Sequence, residues 1–316
     1  MMVVLRRQEK IIHSLFKEFP EYLKKEDILV LNNTKVIPAR AWGKKEEKQI
    51  EFLFLKEKEK GFWEVLCRPA RKIKLGDRIS FSSGFEGRVT ECGAEGKRII
   101  QFSSRDVLSR LKKIGFAPLP PYIKRKKDDF SLRVFDLERY QTVFARERGA
   151  IAAPTAGLHF TPQILEKIIK KGVHICPIAL EVGLATFEPL RVRQVEDHQM
   201  LEERYSIPKA TAQAINQAKK YSRPVVAVGT TVVRGLESSF KEGRISSGTA
   251  STRLFIYPGY KFNVVDRLLT NFHLPQSTLL MLVSAFAGLD LIKKAYREAI
   301  RKKYRFYSYG DCMLIL

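Results

Sequence analysis

Two histidines stand where the sequence leaves room for a reaction. His159 lies in Pro154-Thr155-Ala156-Gly157-Leu158-His159-Phe160-Thr161-Pro162, and His273 in Thr270-Asn271-Phe272-His273-Leu274-Pro275. An imidazole changes charge near neutral pH, so it can give or take a proton there. Neither histidine belongs to a pair with metal-ligand spacing, and a lone histidine is more often a hydrogen-bonded structural residue. The small residues around His159 weigh the other way, because Thr155, Ala156 and Gly157 let a ligand approach the backbone. A third stretch, Pro224-Val225-Val226-Ala227-Val228, empties into Gly229-Thr230-Thr231 and a helix. Strand, glycine, hydroxyls and helix start are the means by which α/β proteins hold an anion on backbone amides. The absence of G-x-G-x-x-G and of a P-loop lysine argues against a dinucleotide or a triphosphate. A plain capped helix start fits the same residues.

The elements that must position these groups follow from periodicity and punctuation. Residues 279–287 are apolar on nearly every side, with Pro275 ahead, Ser277 or Thr278 as cap and Gly288 as terminator. Such a helix is expected to be buried, with its amino-terminal amides turned toward the polar loop that carries Asn271 and His273. Thr161 is the expected N-cap of a second helix that starts at Pro162 and ends by Gly172, which sets His159 just before it. Buried strands are expected at 27–31, ending in Asn32-Asn33-Thr34-Lys35, at 173–180 and at 224–228, with others at 254–257 and at the apolar carboxyl end. Helices are expected at 208–220 and, strongly basic, at 291–303. Between 37 and 104 the period changes to two. The segments 50–55, 62–67, 78–81, 87–91 and 98–102 have the spacing of a small antiparallel barrel. The basic loop 68–74 interrupts them, and a short helix at 107–114 closes the series. The proline-rich connector 115–123 marks a boundary. The organisation expected is therefore a discontinuous α/β domain with a mixed sheet, residues 1–37 and 116–316, into which a small β-barrel domain, 38–115, is inserted.

Charge narrows the partners. The 316 residues carry 57 Lys and Arg against 34 Asp and Glu, a net charge of +23. Residues 1–129 hold 30 of the bases and 18 of the acids, and 130–316 hold 27 and 16, so the excess is spread and is no appended tail. A surface of that sign attracts a polyanion by releasing its counterions, and nucleic acid is the expected one. A basic proteome or a hot habitat would give the same composition. The run Lys124-Arg125-Lys126-Lys127 is either a solvated face or part of an RNA track. The four cysteines are scattered, without metal or disulfide spacing, which fits a reducing cytoplasm. The longest apolar run, 279–289, is too short to cross a bilayer core of about 30 Å, so no membrane association is expected.

Taken together, five runs resemble the S-adenosylmethionine:tRNA ribosyltransferase-isomerase family of queuosine biosynthesis: 29–40 (Leu-Val-Leu-Asn-Asn-Thr-Lys-Val-Ile-Pro-Ala-Arg), 153–161, 227–231, 270–288 and 304–315. They span the chain from end to end. The resemblance implies an α/β domain with an inserted small barrel. It implies a reaction in which the ribosyl part of S-adenosylmethionine moves to the aminomethyl group of 7-aminomethyl-7-deazaguanine at the tRNA wobble position. Adenine and methionine leave, and the ribose rearranges to an epoxycyclopentanediol. S-adenosylmethionine is then a co-substrate, with no prosthetic group and no metal required, and the partner is a tRNA carrying the deazaguanine, met by a cytoplasmic monomer.

That chemistry needs a base near C5′, a donor for departing adenine and a seat for the amine. His159 and His273 are the acid/base candidates, and Asp311 the group that binds the aminomethyl cation. Asn271 and Tyr309 are expected to order the base or ribose. Gly229, Thr230 and Thr231, with Arg234 behind them, are expected to hold the methionine carboxylate, and Thr155 and Gly157 to line the donor site. The two histidines are expected to share one cavity. Two departures stand out. The family pattern carries a segment of the type D-F-D-Y-x-L-P ahead of its first strand, whereas this sequence starts almost at that strand. Where the pattern reads H-V-G-x-G-T-F, this chain has Glu181 and Ala185, so no histidine role transfers there. A tRNA methyltransferase using the same sulfonium, and a non-catalytic RNA-binding scaffold, are the competing readings.

Overall fold

The computed structural model describes residues 1–125, 130–183, 192 and 194–316. Ala185, Lys126 and Lys127 lie outside the described residues. The chain divides into two compact units: Met1–Thr34, Thr142–Glu147 and Ala153–Leu316 make one, Lys35–Gln141 and Arg148–Ala152 the other.

In chain order the first strands are β1 (Met2–Leu5), β2 (Lys10–His13), β3 (Ile28–Asn32) and β4 (Thr34–Val36). Six more follow: β5 (Arg40–Lys45), β6 (Lys48–Glu59), β7 (Phe62–Arg68), β8 (Arg78–Phe81), β9 (Phe85–Cys92) and β10 (Lys97–Phe102). Helices α1 (Val107–Ile114) and α2 (Arg133–Arg139) lead to β11 (Glu147–Ala150), which pairs with β4. The remainder runs α3 (Pro162–Lys170), β12 (His174–Leu180), β13 (Glu203–Ile207), α4 (Lys209–Lys220), β14 (Val225–Val228) and α5 (Thr230–Ser239). After the small hairpin of β15 (Phe240–Lys241) and β16 (Arg244–Ile245) come β17 (Gly248–Thr252), β18 (Arg267–Asn271), α6 (Thr278–Ala287), α7 (Leu289–Arg301) and β19 (Cys312–Ile315).

The first unit is built on a mixed nine-stranded sheet of order β17-β13-β12-β3-β14-β18-β19-β1-β2. Its centre reads as the sequence predicts. Every residue of β3 and β14 is buried, as befits parallel strands covered on both faces. Leu29, Leu31, Val226 and Val228 share one core cluster with Ile164 and Ile168 of α3 and with Phe160, the residue after His159. The second unit holds a closed barrel, β10-β7-β6-β5-β8-β9. Its interior is aromatic: Phe54 stacks on Phe102, and Phe102 on Phe85 at 4.6 Å between centroids. Gly43 faces inward there because a Cβ would come within 2.9 Å of Ile79 and Phe81.

The expected caps form. Thr161 Oγ1 accepts the Ile164 amide, Ser277 Oγ accepts that of Leu280, and Gly288, at φ 92°, ends α6. Burial of α6 is one-sided, with Leu282, Val283 and Phe286 inside and Leu279, Leu280 and Met281 half-exposed. No strand forms at 254–257. The Leu254 amide donates to Thr252 Oγ1 and its carbonyl accepts from Arg234 Nε, so side chains take the backbone groups a ladder would use. Among the described residues no helix is long and apolar enough to cross a membrane.

Candidate active site

β12, β3, β14 and β18 run parallel, so Leu180, Asn32, Val228 and Asn271 end at one edge of the sheet. β19 runs antiparallel to β18 with Cys312 opposite Asn271, which delivers Asp311 to that edge. β13 runs antiparallel to β12 with Tyr205 opposite Leu180, which delivers Glu203. β3 has β12 on one side and β14 on the other, so the strand order reverses here. Open α/β sheets take ligands in the crevice beyond such a point.

Asn32 locks the edge. Its Nδ2 donates to the Leu180 carbonyl at 3.0 Å, and its Oδ1 accepts the Leu180 and Thr34 amides. Asn33 Oδ1, Thr34 Oγ1 and Thr142 Oγ1 are buried without a partner. Gly229 follows β14 at φ 92°, a conformation that glycine adopts readily and side-chain-bearing residues rarely. Thr230 and Thr231 fall inside the first turn of α5 and do not cap it; the N-cap is Gly229 itself.

The turn Thr155–His159 lies over this edge, with Ala156 beside Gly229. It is anchored by Phe160, whose ring meets those of Phe16, Phe19 and Phe144 edge-on. At Gly157 the room is taken by protein, since a Cβ would strike Thr142 Cγ2 and Phe144 Cζ. Thr155, at the head of the turn, is half-buried.

The His159 ring packs 5.2 Å from Phe16. Burial pulls its pKa down to about 4, while the Asn271 side chain and the Asp311 charge act in the opposite direction. His159 Nε2 is buried and has no partner at hydrogen-bonding geometry, and neither has Asn271 Oδ1. The amide of Asn271 is oriented by the backbone: its Nδ2 donates to the Tyr307 carbonyl at 2.9 Å and to that of Ser308, leaving Oδ1 as an acceptor. Asp311 is held by the 304–311 turn, with Oδ2 accepting the Arg305 amide at 2.7 Å and Oδ1 the Arg305 guanidinium at 3.2 Å. Burial works to raise the Asp311 pKa, but these bonds and the nearby cation outweigh it and keep the group below its ordinary value. Tyr309 stands on the same turn, 40% exposed.

His273 is not brought to this group. Its Nε2 pairs with Thr270 Oγ1 at 2.8 Å, its amide donates to the Tyr296 hydroxyl, and burial lowers its pKa to about 4. Thr270 and Asn271 alternate along β18, so their side chains leave opposite faces of the strand. The expectation of one cavity shared by both histidines gives way to a His159 beside Asn271 and Asp311 and a buried His273 that ties down the loop. Arg234 is also committed elsewhere. It forms a buried ion pair with Glu203 and donates Nε to the Leu254 carbonyl, with Nη2 left unpartnered. Glu203 completes its bonding by accepting the Gly183 amide.

Glu203 and Phe16 are absent from the expected site. A carboxylate at an inward position of the alternating Glu203-Arg204-Tyr205-Ser206-Ile207 is the signal that marks the first; nothing local marks the second. Among the described residues no group of three or more His, Cys, Asp or Glu is placed to hold a metal ion.

The model of a family described as queuosine biosynthesis protein matches residues 1–315. The chain is 46% identical over 317 residues to the S-adenosylmethionine:tRNA ribosyltransferase-isomerase of Thermotoga maritima, covering 100% of this chain and 92% of that one. It is 48% identical over 318 residues to the Sulfurihydrogenibium sp. protein of the same name, with the same coverage. The crystal structure of S-adenosylmethionine tRNA ribosyltransferase from Thermotoga maritima is similar to it with a TM-score of 0.54 and 37% identity, over 100% of this chain and 91% of that one. With a family match over residues 1–315 and relatives 46–48% identical over its whole length, the chain belongs to the queuosine biosynthesis protein family.

Proposed function

We propose that this chain is an S-adenosylmethionine:tRNA ribosyltransferase-isomerase, moving the ribosyl group of S-adenosylmethionine to the amine of 7-aminomethyl-7-deazaguanine in a tRNA, with loss of adenine and methionine. The names of its relatives support the reaction. Within the chain, the observation that carries it is that the buried His159 ring has the Asn271 side chain and the Asp311 charge beside it, while its Nε2 and Asn271 Oδ1 make no hydrogen bond to any further group. With its pKa near 4, His159 is neutral at physiological pH, which is the form a base requires. The sulfonium acidifies the C5′ hydrogens. His159 takes one of them, and the imidazolium so formed is stabilised by Asp311 and by Asn271 Oδ1 until its proton passes to departing adenine. Asp311 also offers a carboxylate to the aminomethyl cation. Gly229 and the start of α5 receive the methionine carboxylate. We read the protein as a monomer without a prosthetic group, working in the cytoplasm; the four free cysteines support only the reducing compartment.

The test is incubation with S-adenosylmethionine and a tRNA bearing 7-aminomethyl-7-deazaguanine. Adenine and methionine are expected in equal amounts, with the ribosyl carbons on the RNA. Formation of S-adenosylhomocysteine without adenine would make the protein a methyltransferase and end the proposal.

A further inference from the structure

The outer wall of the barrel carries a cavity of about 380 Å³ that the chemistry above does not use. Its floor is a cross-strand row in which Ser80 of β8 lies opposite Lys44 of β5, and Lys44 opposite Gln49 of β6. Trp42, two residues before Lys44 and so on the same outward face of β5, is half-buried beside that row. The rings of Phe116 and Phe130 complete the lining, 5.0 Å apart and inclined at 55°. Phe130 keeps 60% of its surface exposed. The Arg133 guanidinium stands 6.0 Å from the Phe116 centroid, held by the carbonyls of Gly115 and Lys112.

Aromatic faces at the mouth, hydrogen-bonding groups on the floor and cations at the side are the components of a single-stranded nucleic-acid site. Every base has a face to stack, and the phosphate needs a positive neighbour. The volume lies within the range of about 300–1,000 Å³ usual for small-ligand pockets. The field has the right sign: the barrel-bearing unit holds 27 Lys and Arg against 15 Asp and Glu. We propose that this cavity stacks one unpaired nucleotide of the RNA substrate, distinct from the nucleotide that is modified. Phe116, Phe130 and Trp42 take the base, Gln49 and Ser80 its edge, and Lys44 and Arg133 the adjoining phosphate. The inference rests on the proposed tRNA substrate.

Binding of an anticodon stem-loop RNA tests it. Phe130→Ala is expected to weaken binding by about 5- to 150-fold, the usual loss for one stacked base. The change should fall on KM for RNA, with S-adenosylmethionine affinity and thermal midpoint as in the parent protein. Phe130→Trp should restore binding, and Lys44→Gln should weaken it and flatten its salt dependence. RNA should quench Trp42 fluorescence, and Trp42→Phe should remove that quench. If the parent protein binds the stem-loop and releases adenine while Phe130→Ala and Lys44→Gln bind as tightly, the pocket assignment is overturned and the reaction stands. If the parent protein neither binds the RNA nor releases adenine, the reaction falls with it. A Phe130→Ala defect accompanied by lost S-adenosylmethionine affinity would mark a structural role and also overturn the assignment.

Discussion

His273 should make the sheet-bearing unit acid-sensitive, and His273→Gln should remove part of that sensitivity. The residue is 9% exposed, its ring is bonded to Thr270, and its pKa is lowered by burial to about 4. In the unfolded chain a histidine titrates near 6.5. Between those values the unfolded state binds the proton that the folded state refuses, so stability falls as pH falls. The His273 contribution is fully present above about pH 6.5 and fully lost below about pH 4. Integrating the difference gives a loss of about 2 kcal/mol between pH 7 and pH 5, and about 3 kcal/mol over the whole window. His273→Gln keeps a polar group for Thr270 and has nothing to titrate there. The assay is urea unfolding followed by far-UV circular dichroism, with hydrogen exchange at β18 amides, at several pH values. Fluorescence would miss the effect, because both tryptophans, Trp42 and Trp63, belong to the other unit. Equal pH slopes in the two proteins between pH 7 and pH 5 would refute the reasoning.

Three other outcomes are expected. His159→Ala should slow adenine release by about 10²- to 10⁴-fold, the usual contribution of a positioned acid or base, with an unchanged circular dichroism spectrum; turnover near that of the parent would remove His159 from the mechanism. Glu203→Gln should cost about 3–5 kcal/mol in denaturant unfolding by leaving the buried Arg234 charge unpaired, and adding Arg234→Met should recover most of it; an additive double mutant would refute the coupling. Gly229→Ala should cost about 1–3 kcal/mol for a side chain at φ 92° and ψ 152° and weaken S-adenosylmethionine binding by calorimetry; parent-like values for both would dismiss the turn as a ligand seat.

What the sequence made legible was local. Thr161 and Ser277 cap their helices because a hydroxyl three residues before an orphan amide is a short-range signal. The barrel strands show their period of two, and β3 and β14 their unbroken apolar runs. What stayed hidden depends on distant partners. β17, Gly248-Thr249-Ala250-Ser251-Thr252, has no apolar alternation because it is an edge strand, and only β13 beside it makes it one. Residues 254–257 look like a strand by composition, yet Arg234 and Thr252 claim the backbone of Leu254. The two histidines looked equivalent, each in a small or polar loop at a helix edge. Their difference comes from side-chain alternation along β18 and from Tyr296 on α7, which the loop residues themselves do not encode. Arg234 read as an anion binder because its partner, Glu203, lies 31 residues upstream.

The placement of β3 sets an order of assembly. This strand is made before both of its neighbours, β12 and β14, so the apolar run Ile28-Leu29-Val30-Leu31 stays unpaired until residues 174–180 and 225–228 follow. The barrel strands pair with near neighbours in the chain, and low contact order favours quick closure. The barrel is therefore expected to mature first, with the edge that carries Asn271 and Asp311 completed only when β19 arrives. Pulse-labelled hydrogen exchange should show protection in β6 and β7 ahead of β3, and the reverse order would contradict this sequence of events.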